Sequence, residues 1–175
     1  FIGPNGAGKS TLINIMTTIL YPDRGTIKIC GFDILKEPVK AKECIGYVPQ
    51  DISLLEELNA YGNLEYFGAL YGLKGKLLKE RIKEAIKITG LEEKKREKVK
   101  KYSGGMKRRL NLAVGIMHHP KVLILDEPTV GIDPQSRNHI YKNKKKVGKE
   151  WGTTVIYTSH YIEEVEELCD RVFII

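Results

Sequence analysis

The stretch FIGPNGAGKST, Phe1–Thr11, decides how the rest of the chain is read. Within it, GPNGAGKS (Gly3 to Ser10) fits the spacing G-x-x-x-x-G-K-[ST] at every fixed position. Such a loop, here Gly3, Pro4, Asn5, Gly6, Ala7 and Gly8, curls so that successive N–H groups face phosphate oxygens. A helix starting at Lys9 adds its positive N-terminal end to the same anion site. In this pattern Lys9 reaches the β- and γ-phosphates and the Ser10 hydroxyl binds Mg²⁺, with Gly3 to Thr11 together forming the phosphate cradle. Only Phe1 and Ile2 stand before Gly3, so the strand that leads into such a loop is cut to two residues.

Outward from the loop, the apolar stripe Leu12, Ile13, Ile15, Met16 and Ile19 predicts a helix from Lys9 to Leu20, ended by the turn chemistry of YPDRG (Tyr21–Gly25). Thr26 to Cys30 and Ile45 to Val48 read as short strands. Tyr61 to Tyr71 and Leu77 to Thr89 read as helices, the first weakened by Gly62 and Gly68 and followed by Gly72. Val122–Leu125 and Thr154–Tyr157 are continuous apolar runs, the pattern of parallel strands covered on both faces. Strands alternating with helices predict an α/β domain with a mainly parallel sheet. No central strand is legible from about Leu54 to Tyr102, which reads as a helical insertion. The expected division is a core from 1–50 and 122–175, with a helical subdomain over about 54–117.

VLILDEPT (Val122–Thr129) supplies the partner of the glycine loop. An apolar strand carries Asp126 to its end, where a carboxylate holds Mg²⁺ directly or through water. Glu127 follows at once and is placed to polarise an attacking water as general base. Two adjacent acids ending a buried strand beside a phosphate loop suit hydrolysis better than nucleotide storage.

Bulk composition limits the alternatives. With 42% hydrophobic and 29% charged residues, the chain fits one globular domain with a real core. No run of about 20 apolar residues is present to span a bilayer, and no signal-peptide pattern is visible. Cys30, Cys44 and Cys169 are scattered, which points to reduced thiols in a cytosolic setting. His118 and His119, beside Pro120, read as a loop entering a strand. The net charge of +7 is concentrated in Lys94–Lys101 and Lys142–Lys149, which read as solvated faces, with no specific nucleic-acid partner expected.

KYSGGMKRRLNLA carries a resemblance. Ser103-Gly104-Gly105-Met106 resembles the signature of the ABC (ATP-binding cassette) ATPases, which are P-loop NTPases. The family's other motifs follow in order: Gln50 in YVPQD resembles the Q-loop, GIDP (Gly131–Pro134) the D-loop, and His160 in YTSHY the switch histidine. The resemblance implies an ATPase with ATP and Mg²⁺, working as a head-to-tail pair, most simply a homodimer. In such a pair Ser103, Gly104, Gly105 and Met106 of one copy close over the γ-phosphate held by the other. It further implies that Gln50 contacts Mg²⁺ or the attacking water, that His160 contacts the γ-phosphate, and that Asp133 acts across the dimer interface. The compact interval between Gln50 and Ser103 excludes a long coiled-coil insertion. YPDRGTIKICGFDI and DEPTVGIDPQSR are similar to the ABC-2 export branch, which implies a separate membrane permease and a cytoplasmic, peripheral location on the inner face of the membrane. The rival reading is a soluble cassette acting on ribosomes or nucleic acid.

Against the family pattern, the N-terminal β region with its adenine-stacking aromatic would lie before Phe1, so weak nucleotide binding is expected of these 175 residues alone. Val172–Ile175 reads as part of a strand. Tyr102 stands where many members have leucine. Asn143 and Lys144 replace residues that are usually apolar. Lys144 falls between Ile140 and Val147 on one helical face; its stem can snorkel, but burying its charge is costly. A weakly packed or shifted helix is therefore expected there.

Overall fold

Three parallel strands form the centre of the structure, a computed structural model that describes residues 1–175 apart from the side chain of Lys145. In chain order the elements are α1 (Lys9–Met16), β1 (Lys28–Ile29), β2 (Phe32–Asp33), α2 (Pro38–Glu43), β3 (Ile45–Val48), α3 (Ala60–Leu70) and α4 (Gly75–Thr89). There follow a 3₁₀ turn (Val99–Lys101), α5 (Gly104–Ile116), β4 (Val122–Asp126), α6 (Pro134–Trp151), β5 (Thr154–Thr158) and α7 (Ile162–Leu168).

The sheet order is β3-β4-β5, with Val48 opposite Leu125 and Asp126 opposite Thr158. Ile2 continues this sheet through bridges to Ser159 and to Ile174. Strands running the same way end at the same edge, so the glycine loop after Ile2 and the acids after β4 meet there. β1 and β2 form a separate antiparallel hairpin, whose turn uses left-handed Cys30 (φ 52°) and Gly31 (φ 86°).

Apolar side chains gather in three clusters. Leu123, Leu125 and Tyr157 of the sheet pack against Ile140 and Val147 of α6. Ile124 packs with Ile13 of α1 and Ile29 of β1. The third cluster is built almost wholly from 60–117, including Leu64, Ile82, Leu110 and Met117, as an inserted helical unit requires. The result is the α/β P-loop architecture, a mainly parallel sheet with an inserted helical unit.

Several expectations are corrected. α1 stops at Met16 instead of reaching Leu20, because Thr18 turns left-handed (φ 61°) and Asn14 O accepts from both Ile19 N and Leu20 N. Val172–Ile175 pairs with Ile2 through one bridge and forms no longer strand. The glycines expected to weaken α3 leave it continuous over 11 residues, and Gly68 lets Leu78 of α4 and Met117 just after α5 lie close against it. A Cβ there would lie 2.4 Å from Leu78 Cδ1 and 2.6 Å from Met117 Cε.

The largest correction is α6, which runs unbroken for 18 residues with Ile140, Tyr141 and Val147 buried. Lys144 is accommodated by snorkelling: its Nζ donates to Leu168 O at the carboxyl end of α7, where a cation also meets the negative end of the helix dipole. Asn143 is buried, and its Nδ2 has no hydrogen-bond partner among the described residues.

Candidate nucleotide site

At the carboxyl edge of the sheet lies a cavity of about 460 Å³. Asn5, Gly6, Gly8, Lys9, Ser10 and Thr11 form one wall, and Gln50, Glu127, Val130 and His160 the other. The loop can make this wall because Gly6 (φ 82°) and Gly8 (φ 102°) take left-handed conformations that turn the chain into α1. Lys9 is buried, donates to Gly3 O (2.8 Å) and Pro4 O (3.1 Å), and stands 3.9 Å from Glu127 Oε1. Gly3, Pro4 and Ala7 belong to the same turn, with Ala7 N donating to Pro4 O.

Asp126 ends β4 at 4% exposure and accepts from Thr158 Oγ1 at 2.8 Å. Burial pushes its carboxyl up from the usual range, the Thr158 hydrogen bond pulls it down, and neighbouring Glu127 raises it again. Glu127 itself is left-handed (φ 44°), an uncommon conformation for a residue with a Cβ. Its N–H donates to the same Thr158 Oγ1 at 2.9 Å, so one hydroxyl fixes both acids. The turn brings Glu127 Oε1 within 3.6 Å of His160 Nδ1, just beyond β5.

Helix α5 starts at a capped end, where Ser103 Oγ accepts from Met106 N at 3.2 Å. Helix α6 starts likewise, with Asp133 Oδ1 accepting from Ser136 N at 2.9 Å and Pro134 at the first helical position. That backbone N–H, more than any other contact, holds the Asp133 carboxyl below its usual range. The two helix starts touch, since a Cβ on Gly105 would fall 2.6 Å from Asp133 Oδ2. Ser103, Gly104, Gly105, Met106 and Asp133 do not line this cavity; they lie at the starts of α5 and α6, outside it.

The fold brings the expected site residues Lys9, Ser10, Gln50, Glu127 and His160 to one cavity, while Asp126 lies buried at the end of β4 and does not line it. Three supports are not legible in the motifs. Thr158 is one. A second is Arg108, which reaches Gln50 O and Glu127 O. The third is buried Glu164, which accepts from the hydroxyls of Thr129 and Ser159, just beyond β4 and β5 at the carboxyl edge of the sheet. A threonine facing an acid could be found from strand register; the other two depend on long-range packing.

The ABC transporter family model matches residues 1–130. The chain belongs to the ABC transporter family. It is 52% identical over 174 residues to the linearmycin resistance ATP-binding protein of Bacillus subtilis (strain 168), covering 99% of this chain and 56% of that protein. It is 41% identical to a daunorubicin resistance ATP-binding protein of Streptomyces coeruleorubidus, covering 99% of this chain and 55% of that one. The cassette thus spans about half the length of the curated relatives it matches. Among solved structures, cbiO1 of Clostridium perfringens, part of the ABC transporter complex cbiONQ, superimposes at TM-score 0.87 with 36% identity, covering 99% of this chain and 70% of that one. A dimeric cassette in a post-hydrolysis state with ADP and Pi gives 0.82 at 29% identity, covering 93% of this chain and 74% of that one. The resemblance to the export branch agrees with the resistance proteins among these relatives.

Proposed function

We propose that this chain is the ATP-hydrolysing core of an export cassette, powering a separate membrane permease and working as a head-to-tail pair. The observation that carries it is the convergence of Lys9, Ser10, Gln50, Glu127 and His160 on one cavity, with the Ser103–Met106 helix start outside that cavity. In this reading the loop N–H groups and Lys9 bind the β- and γ-phosphates. Glu127 takes the proton of the attacking water, and His160 holds the γ-phosphate beside it. Ser103 to Met106 of a second copy complete the site, and Asp133, beside Gly105, works at the same interface. The functional division is a core from 1–50 and 122–175, carrying a signature unit over about 54–117.

The residues present fit Mg²⁺. The Ser10 hydroxyl lines the cavity, and buried Asp126 has no ion-pair partner among the described residues, so a hard cation would satisfy it. Ser10 and Asp126 would hold the ion with help from Gln50, and it would supply charge neutralisation between the β- and γ-phosphates. No helix among the described residues is long and apolar enough to cross a membrane. In this reading the permease carries the transport path, with the cassette peripheral on its cytoplasmic side.

The test uses the full-length protein. Glu127→Gln keeps the shape of the site and removes the base, so the variant should bind Mg-ATP and elute as a dimer on gel filtration while the wild type turns over. A monomer that hydrolyses ATP at the wild-type rate would sink the head-to-tail reading.

A further inference from the structure

We infer that Arg108 is a positioning residue that fixes the backbone of Gln50 and Glu127 and ties both to the signature helix α5; this rests on the nucleotide-site reading above. Arg108 lies in the second turn of α5, five residues after the Ser103 cap, and is only 3% exposed. A guanidinium that deeply buried normally pairs with a carboxylate, yet Arg108 makes no ion pair with the described residues. Its charge is instead spread over backbone carbonyls from two separate loops. Nη1 donates to Pro49 O at 2.6 Å, and Nη2 donates to Gln50 O at 2.7 Å, with a longer contact to Glu127 O at 3.5 Å.

This arrangement has a consequence at each loop. Glu127 sits in the left-handed region, an unfavourable conformation that persists where its surroundings over-determine it. Its N–H is held by Thr158 and its carbonyl faces Arg108, so the residue is pinned on both sides. At Gln50 the carbonyl is held while the side chain is left exposed on the cavity wall. The fork of Arg108 donates from its two terminal nitrogens to successive carbonyls, which a single ammonium does not reproduce in full. A shift of the segment around Gln50 would therefore pull on α5, whose Ser103 end the proposed function sets against a partner copy.

The experiment compares Arg108→Gln and Arg108→Lys with wild type in the full-length protein. It measures kcat and KM for Mg-ATP hydrolysis, Kd for a non-hydrolysable ATP analogue, and amide hydrogen exchange. Arg108→Gln should lower kcat at least tenfold while KM and Kd stay within about threefold, and Arg108→Lys should recover part of the loss. Exchange should accelerate at residues 50–52 and 127–131 in Arg108→Gln, with the sheet amides of β4 still protected. Wild-type kcat in Arg108→Gln would overturn the inference. So would a parallel loss of affinity and turnover that lysine does not relieve, or unchanged exchange in both segments. If the wild type itself does not hydrolyse ATP, the function reading fails, and the exchange result alone decides the role of Arg108.

Discussion

Replacing Glu164 by Gln should destabilise this cassette at neutral pH and much less in acid. The Glu164 side chain is 5% exposed and accepts three hydroxyl hydrogen bonds of 2.8–2.9 Å, from Thr129, Tyr157 and Ser159. Arg137 Nε lies 3.9 Å away. Burial pushes the carboxyl up, but the donors together outweigh burial and leave it below the ordinary range. A hydrogen bond to a charged acceptor contributes roughly 1.5–3 kcal/mol, against about 1 kcal/mol for a neutral one. Three such bonds made neutral therefore lose about 3 kcal/mol, which for a domain of this size lowers Tm by about 6–12 °C. Because the folded carboxyl is depressed, its stabilisation is present above the unfolded value of about 4.3 and is lost as pH falls through the lower folded value. The gap between wild type and Glu164→Gln, read by thermal denaturation from pH 7 downward, should start to close below about pH 4.3. Equal Tm values at pH 7, or a gap that is constant with pH, would refute the charged-acceptor account.

Two further outcomes follow from buried polar groups. Asn143→Leu should raise the urea midpoint by the equivalent of about 1–2 kcal/mol at unchanged slope, because it removes a buried amide donor without a partner; a lower midpoint would mean that the amide is satisfied in solution. His118 stacks on Tyr71 at 3.8 Å and its Nε2 meets Ile45 O at 3.0 Å; burial, partly opposed by that hydrogen bond, pushes the ring down to about 4. The unfolded chain then takes up a proton near pH 6.5 that the folded chain refuses until about 4, so stability is full above this window and falls by up to about 1.4 kcal/mol per unit within it. Denaturation measured between pH 7 and 4 should show that slope, and His118→Gln should flatten it.

The sequence by itself determined the fold class and the local backbone devices on which the proposed chemistry rests. GPNGAGKS, VLILDEPT and SGGM each put a local backbone device beside the side chain that uses it. A glycine loop opening a helix, an acid ending an apolar strand and a serine capping a helix need only nearest neighbours to form. Apolar runs alternating with helical patterns likewise state a parallel sheet, because burial on both faces leaves a mark along the chain.

Only the tertiary structure decided how these devices are held. Nothing local shows that Arg108 reaches across to Pro49 and Gln50, or that Thr158 serves both Asp126 and Glu127, because those partners meet only once β3, β4 and β5 are in register. The same cause explains the failed expectation at α6. Spacing counts Lys144 as buried charge, but the end of α7 lies within reach of its Nζ, and a long side chain follows the nearest carbonyl rather than the periodicity. Short-range sequence fixes what each residue is able to do, and long-range packing selects which partner it does it with.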